Sequence, residues 1–316
     1  MPSQGSILAS PNELPYTTRH ISPWYGMTVR SYAKINLGLR ILRKRSDGYH
    51  DLETVFHRIN LWDDIVLRPT PGTLRLETDR ADLPADSSNL CLRAAELLKA
   101  KAPAGAGVSI SLRKHIPVGA GLGGGSSDAA SVLLGLKHLW SMRMSDDELR
   151  SMALRLGSDV PYFLGHGSAY ATGRGERLEL IPLVLPYWIV VVVPPVHIST
   201  AWAYQHLRLS DRPPQRSLKD IVLRPLPELQ DSLAQLSNDF EPLVLESHAD
   251  IREAKNRLSG SGAACALMSG TGSAVFALFA DEDSARRAAK AVGAEGQALS
   301  LTEPGFSPPV PHIIPD

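Results

Sequence analysis

Residues 117–130 read Pro-Val-Gly-Ala-Gly-Leu-Gly-Gly-Gly-Ser-Ser-Asp-Ala-Ala, and a helix-forming run, Ala129 to Trp140, follows. Five glycines, Gly119, Gly121, Gly123, Gly124 and Gly125, fall within seven positions. Without Cβ, glycines let backbone N–H groups turn inward and approach a ligand closely. A helix that starts directly after such a loop points its unpaired N–H groups and positive dipole end at the same spot. The stretch from Pro117 and Val118 through Ala120 and Leu122 to Ser126 and Ser127 is therefore expected to cradle a polyphosphate.

Several glycine loops bind phosphate, and the spacing separates them. A P-loop needs G-x-x-x-x-G-K-[ST], and no lysine lies between Gly119 and Asp128. Gly119, Gly121 and Gly124 satisfy the dinucleotide pattern G-x-G-x-x-G, which should follow a strand directly and lead to a second strand ending in an acid. Here Lys114-His115-Ile116-Pro117 intervenes after the strand predicted over 108–112. The acids about twenty residues on sit in Ser145-Asp146-Asp147-Glu148, a capping box. A flexible linker fits poorly, because linkers are polar and aperiodic and this loop opens onto a long apolar helix.

Composition describes a soluble enzyme. The 316 residues suggest two domains. Lys+Arg and Asp+Glu are 33 each, a net charge of zero that argues against nucleic-acid or anionic-membrane partners. Cys91 and Cys265 lie in apolar periodic stretches and read as reduced core residues of a cytoplasmic protein. The ten histidines show no metal-ligand spacing, and the longest apolar run, Trp188–Val193, is strand length.

Residues 1–26 hold four prolines and no apolar h-region, which predicts a disordered extension and no secretory signal. Residues 303–316 are Pro-rich and expected to be loose. Between them, elements alternate in an α+β pattern without internal repeats. Ala33, Ile35, Leu37, Leu39 and Ile41 predict a half-buried strand whose other face carries Lys34, Asn36, Gly38 and Arg40. Residues 52–68 read as strands around a turn at Trp62-Asp63-Asp64. Helices are expected over 89–101, 128–140 and 146–156, and strands over 108–112, 168–171 and 177–180. A first domain over 27–184 gives way to a second over 185–302. The second opens with a strand at 187–193. Helices at 200–208, within 229–236 and within 248–258 follow. Then come strands 264–268 and 273–279, joined through Ser269-Gly270-Thr271-Gly272, and a helix at 281–291.

The glycine segment resembles P-x-x-x-G-L-G-(G)-S-S-x-A-A of the GHMP small-molecule kinases. Further segments resemble one branch of that family: Ala33-Lys34-Ile35-Asn36-Leu37, Asp47-Gly48-Tyr49-His50, Gly157-Ser158-Asp159-Val160-Pro161, Asn238-Asp239-Phe240-Glu241-Pro242 and Met268-Ser269-Gly270-Thr271-Gly272-Ser273. The likeness runs from about Met27 to Ala280. It implies an α+β, two-domain GHMP-kinase fold with the active site in the cleft between domains, acting on a small molecule carrying cytidine diphosphate, with neither nucleic acid nor membrane as a partner. The implied reaction is ATP-dependent phosphorylation of the 2-hydroxyl of 4-diphosphocytidyl-2-C-methyl-D-erythritol, a step of non-mevalonate isoprenoid synthesis, with Mg²⁺ expected and a monomer or homodimer as the working unit. Mevalonate- or homoserine-type kinases, or a non-catalytic nucleotide-binding regulator, are the alternatives; the former have no use for a cytosine site, and the latter should have lost Lys34 or Asp159.

By this resemblance Lys34 and Asp159 are the catalytic pair. Asp159 would accept or orient the proton of the acceptor hydroxyl, and Lys34 would keep Asp159 ionised and offset charge on the transferring group. Read from position alone, Asp159 before Val160-Pro161 is an N-cap and Lys34 a solvated strand residue; the joint occurrence of three segments favours the catalytic reading. Asn89 and Lys114 match positions near the adenine, though each could be a helix cap or a surface charge. Asn36, Tyr49, His50, Thr200 and Tyr204 match the acceptor side, with Tyr49 and Tyr204 as an aromatic clamp for cytosine. Ser199 and Ala201 stand where the family more often has proline.

Overall fold

The computed structural model describes residues 26–209, 216–293 and 298–315; the expectation for residues 1–25 lies outside them. Two strands dominate the first half. β1 (Met27–Lys44) and β2 (His50–Pro71) run antiparallel along nearly their whole length, with register shifts after Tyr32, Asn36 and Ile41. The predicted turn at Trp62-Asp63-Asp64 does not exist. Tyr32 pairs with Trp62 and Ser31 with Asp63 on one edge, and Asp64 pairs with Arg113 on the other, so the ladders carry the strand straight through. β3 (Leu74–Thr78), a strand not predicted from the sequence although Leu74, Arg75, Leu76 and Glu77 alternate, lies parallel to β4 (Ala106–Arg113).

Between these strands runs α1 (Leu90–Lys99). α2 (Gly124–Leu139), α3 (Asp146–Leu156) and the one-turn α4 (Val160–Phe163) follow β4, then the hairpin of β5 (Ser168–Gly173) and β6 (Arg177–Ile181). β5 shares with β4 the edge of β2 opposite β1. α2 begins four residues earlier than Asp128, because Gly123 takes a left-handed conformation at φ 70° and lets the chain enter the helix at once.

The second half opens with β7 (Trp188–Val193) and α5 (Thr200–His206). α6 (Leu218–Val222), α7 (Leu226–Leu233), α8 (Glu241–Ser247) and α9 (Ala249–Gly260) lead to β8 (Cys265–Met268), β9 (Val275–Phe279) and α10 (Glu282–Val292). β10 (Ala298–Thr302) completes a sheet of order β10-β7-β9-β8. No strand is predicted here from the sequence, although Leu299 and Leu301 alternate with Ser300 and Thr302; the pairing partner β7 lies more than a hundred residues away. The C-terminal stretch is not loose either: β11 (His312–Pro315) returns to the first sheet and pairs with Met27–Arg30 of β1. Tyr32 Oη lies 3.0 Å from His312 Nδ1, and the Tyr32 and Phe306 rings meet at 5.5 Å.

Three apolar clusters fill the layers. Val29, Ile65, Leu67 and Ile110 of the first sheet pack on Leu98, Val132, Leu133 and Leu136 of α1 and α2. Ala33, Ile35 and Leu37 pack from β1 onto Ile189, Val191, Phe276 and Leu278 of the second sheet. Val190, Val192, Ala277 and Phe279 pack beneath α9 and α10. The centre of β1 is thus covered on both faces. Lys34 and Asn36, expected on a half-exposed face, are each only 3% exposed. A buried lysine needs a reason beyond packing.

Removing residues 304–316 takes away the four-residue β11 ladder and the Tyr32 contacts. Stability should fall by on the order of 2 kcal/mol, which lowers Tm by roughly 4–8 °C for a chain of this size. An unchanged melting temperature would show that the strand contributes nothing.

Candidate active site

The buried ammonium of Lys34 gathers the site around it. Its Nζ donates to Asn36 Oδ1 at 2.7 Å and to the Gly121 carbonyl at 2.9 Å, lies 3.8 Å from Asp159 Oδ2, and sits 5.2 Å from the centre of the Phe56 ring. Burial pushes the Lys34 ammonium below its usual pKa, and the Asp159 carboxylate pulls it partly back up. Asn36 is fixed in turn, donating to Thr54 Oγ1 at 2.8 Å. Asp159 occupies the N-cap position of α4, yet its side chain makes no cap hydrogen bond and keeps 35% of its surface exposed. The capping alternative for Asp159 is therefore not the one the fold uses, and its carboxylate faces Lys34.

Gly119, Gly121 and Gly123 all adopt positive φ, at 69°, 79° and 70°. At Gly121 the requirement is double, since a Cβ there would lie 2.1 Å from the Ser269 carbonyl oxygen. The loop ends at α2, whose N-cap Gly123 offers no side-chain cap, so the first N–H groups of α2 remain available to an anion. On one side of the loop lies a cavity of about 350 Å³ bounded by Asn89, Lys114, Pro117–Ser126 and Asp128. On the other lies a cavity of about 430 Å³ bounded by Lys34, Asn36, Thr54, Asp159, Arg174, His197, Thr200, Tyr204 and Thr271. Gly119, Gly121 and Gly123 form a wall of both. The second cavity draws on both halves of the chain.

The other expected residues divide. Thr200 faces the second cavity with its Oγ1 3.3 Å from that of Thr271. Tyr204 reaches the same cavity; its ring packs on His50 at 5.1 Å and edge-on against Phe240 at 4.9 Å. Burial, then the nearby Asp159 charge, push its phenol up to about 12. Tyr49 is 54% exposed, and its ring lies 4.6 Å beneath the Arg174 guanidinium. It stands outside both cavities, so Tyr49 and Tyr204 are not brought face to face here. Asn89 caps α1, accepting from Cys91 N at 2.9 Å and donating to the Pro84 carbonyl at 2.8 Å. Ser127, expected to bind the nucleotide, turns away from the first cavity: it is 2% exposed and its hydroxyl donates to the Tyr32 carbonyl at 2.7 Å. Ser126 keeps the place beside the cavity.

Lys114 is not a free surface charge. It is held between Asp63, through a short ion pair, and Asp128 at 2.8 Å, all three nearly without exposure. Asp63 also accepts from His115 N at 2.6 Å and Ile116 N at 2.8 Å. These bonds tie β2, the approach to the glycine loop and the second turn of α2 together. Two carboxylates share one ammonium, so one is poorly compensated. Burial first, and Asp63 after it, push the Asp128 carboxyl up to about 7 against the pull of Lys114.

Arg174 and His197 were not singled out from the sequence. Arg174 sits between Gly173 and Gly175, both at positive φ, in the turn from β5 to β6, and a glycine-flanked arginine was the signal available. His197 packs where a Cβ at Gly119 would strike its ring at 2.7 Å, a contact no local pattern announces.

Comparison with known proteins agrees with this geometry. Residues 89–167 match the GHMP kinases N terminal domain, and residues 217–298 the GHMP kinases C terminal domain. A protein of Prosthecochloris aestuarii named 4-diphosphocytidyl-2-C-methyl-D-erythritol kinase is 48% identical over 275 residues, covering 86% of this chain and 96% of its own length. One of the same name from Chlorobaculum tepidum is 43% identical over 281 residues, covering 88% and 98%. The crystal structure of a 4-(cytidine 5'-diphospho)-2C-methyl-D-erythritol kinase superposes with a TM-score of 0.75 at 38% identity, over 89% of this chain and all of that one. A homoserine kinase from Cytophaga hutchinsonii, at 17% identity and TM-score 0.69 over 96% of this chain and 100% of its own, shares the fold. The chain belongs to the 4-diphosphocytidyl-2-C-methyl-D-erythritol kinase family of the GHMP kinases.

The Asp63–Lys114–Asp128 cluster carries a pH signature. A carboxyl raised from 3.8 to about 7 on folding makes the folded state hold its proton more tightly. Its contribution is fully present below pH ~4 and is lost as pH rises through ~7. Asp128→Asn leaves Lys114 paired one-to-one with Asp63, so the Tm of the variant relative to the parent should improve between pH 5 and pH 8. A variant that loses ground as pH rises would reverse the assignment.

Proposed function

We propose that this chain transfers the γ-phosphoryl group of ATP to the 2-hydroxyl of 4-diphosphocytidyl-2-C-methyl-D-erythritol. The observation that carries the reading is the meeting of two cavities at the glycine loop, with Lys34 and Asp159 paired on the acceptor side. ATP occupies the cavity bounded by Asn89, Lys114 and the loop; the acceptor occupies the cavity bounded by Asn36, Thr200 and Tyr204. Phosphoryl transfer passes a loose transition state, so positioning and charge stabilisation dominate. The loop N–H groups and the N-terminus of α2 hold the phosphates. Asp159, not engaged in capping, orients the acceptor hydroxyl and takes its proton as the bond to phosphorus forms. Lys34 keeps Asp159 ionised and offsets negative charge on the group in flight.

Among the described residues, no group of three or more His, Cys, Asp or Glu is placed to hold a metal. The available oxygen donors suit Mg²⁺ brought in on the nucleotide, which needs one or two protein oxygens besides phosphate and water. The Ser126 hydroxyl, which borders the cavity beside the glycine loop, would hold it there. The ion would supply neutralisation of phosphate charge.

Cytosine stacks against Tyr204, with His50 behind the ring. Tyr49 contributes from the rim, where Arg174 now covers one of its faces. No helix among the described residues is long and apolar enough to cross a membrane, and both cysteines are free thiols; a cytoplasmic monomer or homodimer acting on small molecules fits these features.

The direct test is phosphoryl transfer with ATP and Mg²⁺, offering the cytidine diphosphate acceptor, mevalonate and homoserine in parallel. Turnover of the first is expected, and activity confined to the others would overturn the reading. Asp159→Asn should slow turnover ~10²–10⁴-fold with the fold and ATP binding retained, whereas near-normal turnover would remove Asp159 from the chemistry. Tyr204→Ala should raise the KM for the acceptor by about 5- to 150-fold, the equivalent of 1–3 kcal/mol of base stacking. Its ATP KM should hold, because the ring binds a part of the acceptor that does not react. An unchanged acceptor KM would move the stacking partner elsewhere, with Trp202 next on α5.

A further inference from the structure

Arg58 is a buried cation without an anion. It is 4% exposed, and among the described residues it has no carboxylate partner. Its Nη2 donates to the Phe163 carbonyl at 3.1 Å and the Gly165 carbonyl at 2.7 Å, while Nε and Nη1 find no hydrogen-bond partner among the described residues. Its guanidinium also lies over the rings of Tyr162, at 5.4 Å, and Phe163, at 5.8 Å. A charge buried at this cost calls for an explanation.

Its location supplies one. Arg58 pairs with Lys34 across the β1–β2 ladder, so the two side chains share a face of the sheet. The carbonyls it holds lie at the C-terminal end of α4, where a cation complements the unpaired C=O groups. The opposite end of α4 is Asp159. The ring of Phe163 presses on the glycine loop, since a Cβ at Gly123 would meet its Cζ at 2.9 Å. Tyr162 packs on Phe56 at 5.0 Å, and Phe56 lies under the Lys34 ammonium. One guanidinium therefore grips a four-residue helix that bears the reacting carboxylate at one end and abuts the phosphate loop at the other. Four residues form only one turn, too short to hold itself in place.

We infer that Arg58 is a positioning residue that fixes α4 and so sets Asp159 against Lys34 and the glycine loop. The inference rests on the role proposed for Asp159 above. Misplacing a reacting group by an ångström costs up to about 10²-fold in rate, so loss of Arg58 should lower kcat and leave binding largely alone.

Arg58→Met keeps the apolar stem over the rings and removes the grip on the two carbonyls. Kinetics of the full-length enzyme with ATP and the cytidine diphosphate acceptor should show kcat reduced ~10- to 100-fold, with both KM values within about 3-fold of the parent. Introduced into Asp159→Asn, the same change should slow turnover less than about 3-fold further, because the group it positions is already gone. Arg58→Lys retains the charge but not the two-carbonyl fork and should remain at least about 5-fold slow. It also serves as the readout should the methionine variant fail to fold. A parental kcat in either folded variant, or an equal loss from Arg58→Met with and without Asp159→Asn, would overturn the inference. Should Asp159→Asn itself turn over normally, the proposed mechanism fails first, and a kcat loss in Arg58→Met would then be a general packing effect.

Discussion

The buried ammonium of Lys34 is the constraint around which the site is built. A cation 3% exposed in a strand interior must be compensated, and its compensation comes from three places in the chain. Asn36 supplies a side-chain oxygen two residues on, Gly121 a carbonyl from the phosphate loop, and Asp159 a carboxylate from the start of α4. Satisfying one charge therefore assembles strand, loop and helix at a single point. The cavity they border shares its wall of Gly119, Gly121 and Gly123 with the cavity beside Asn89 and Lys114.

That point is reinforced from the second half of the chain. Ser269 Oγ donates to the Gly121 carbonyl at 2.9 Å and accepts from Asn36 N at 3.2 Å, and Ala274 N donates to the Ala120 carbonyl at 3.1 Å. The 269–274 turn is held by Asn238, whose Nδ2 donates to the Met268 and Gly270 carbonyls at 2.8 Å each, and by Glu241, which accepts from Met268 N at 2.6 Å. Asp239 accepts from Ile41 N at 2.7 Å and ties the same segment to β1. The Asn-Asp-Phe-Glu-Pro motif thus works by shape: its polar side chains satisfy backbone groups that set the turn behind the glycine loop. From the other side, Asp63 and Lys114 brace the loop's approach. A backbone cradle buttressed on both flanks is pre-organised, which is how binding sites gain strength without new contacts.

The sequence showed the glycine loop, the strand of Lys34 and Asn36, and the helices with strong apolar periodicity because these features are local. Gly119, Gly121 and Gly123 announce positive φ, and Ser145 with Glu148 announces a capping box that the fold contains. What escaped was non-local. β2 passes through Trp62-Asp63-Asp64 because ladders on both edges override turn-like composition. β10 and β11 are edge strands whose pairing depends on partners more than a hundred residues away. The same holds for side chains. Lys34 and Asn36 could be placed on one strand face from their spacing. Nothing local told that the face was buried, that Ser127 would bond to the Tyr32 carbonyl, or that Arg58 would reach the end of α4. Lys114 and Tyr49 were legible as polar and aromatic, but their partners Asp63, Asp128 and Arg174 emerged only with the tertiary fold.

The central claim is that nucleotide and acceptor meet at the Lys34–Asp159 pair across the glycine loop. A crystal structure with a non-hydrolysable ATP analogue, Mg²⁺ and 4-diphosphocytidyl-2-C-methyl-D-erythritol tests it most directly. Adenine is expected beside Asn89, the terminal phosphate over the N-terminus of α2, and the acceptor 2-hydroxyl within hydrogen-bond reach of Asp159. A ternary complex with the acceptor hydroxyl away from Asp159, or with the terminal phosphate outside the glycine loop, would contradict it.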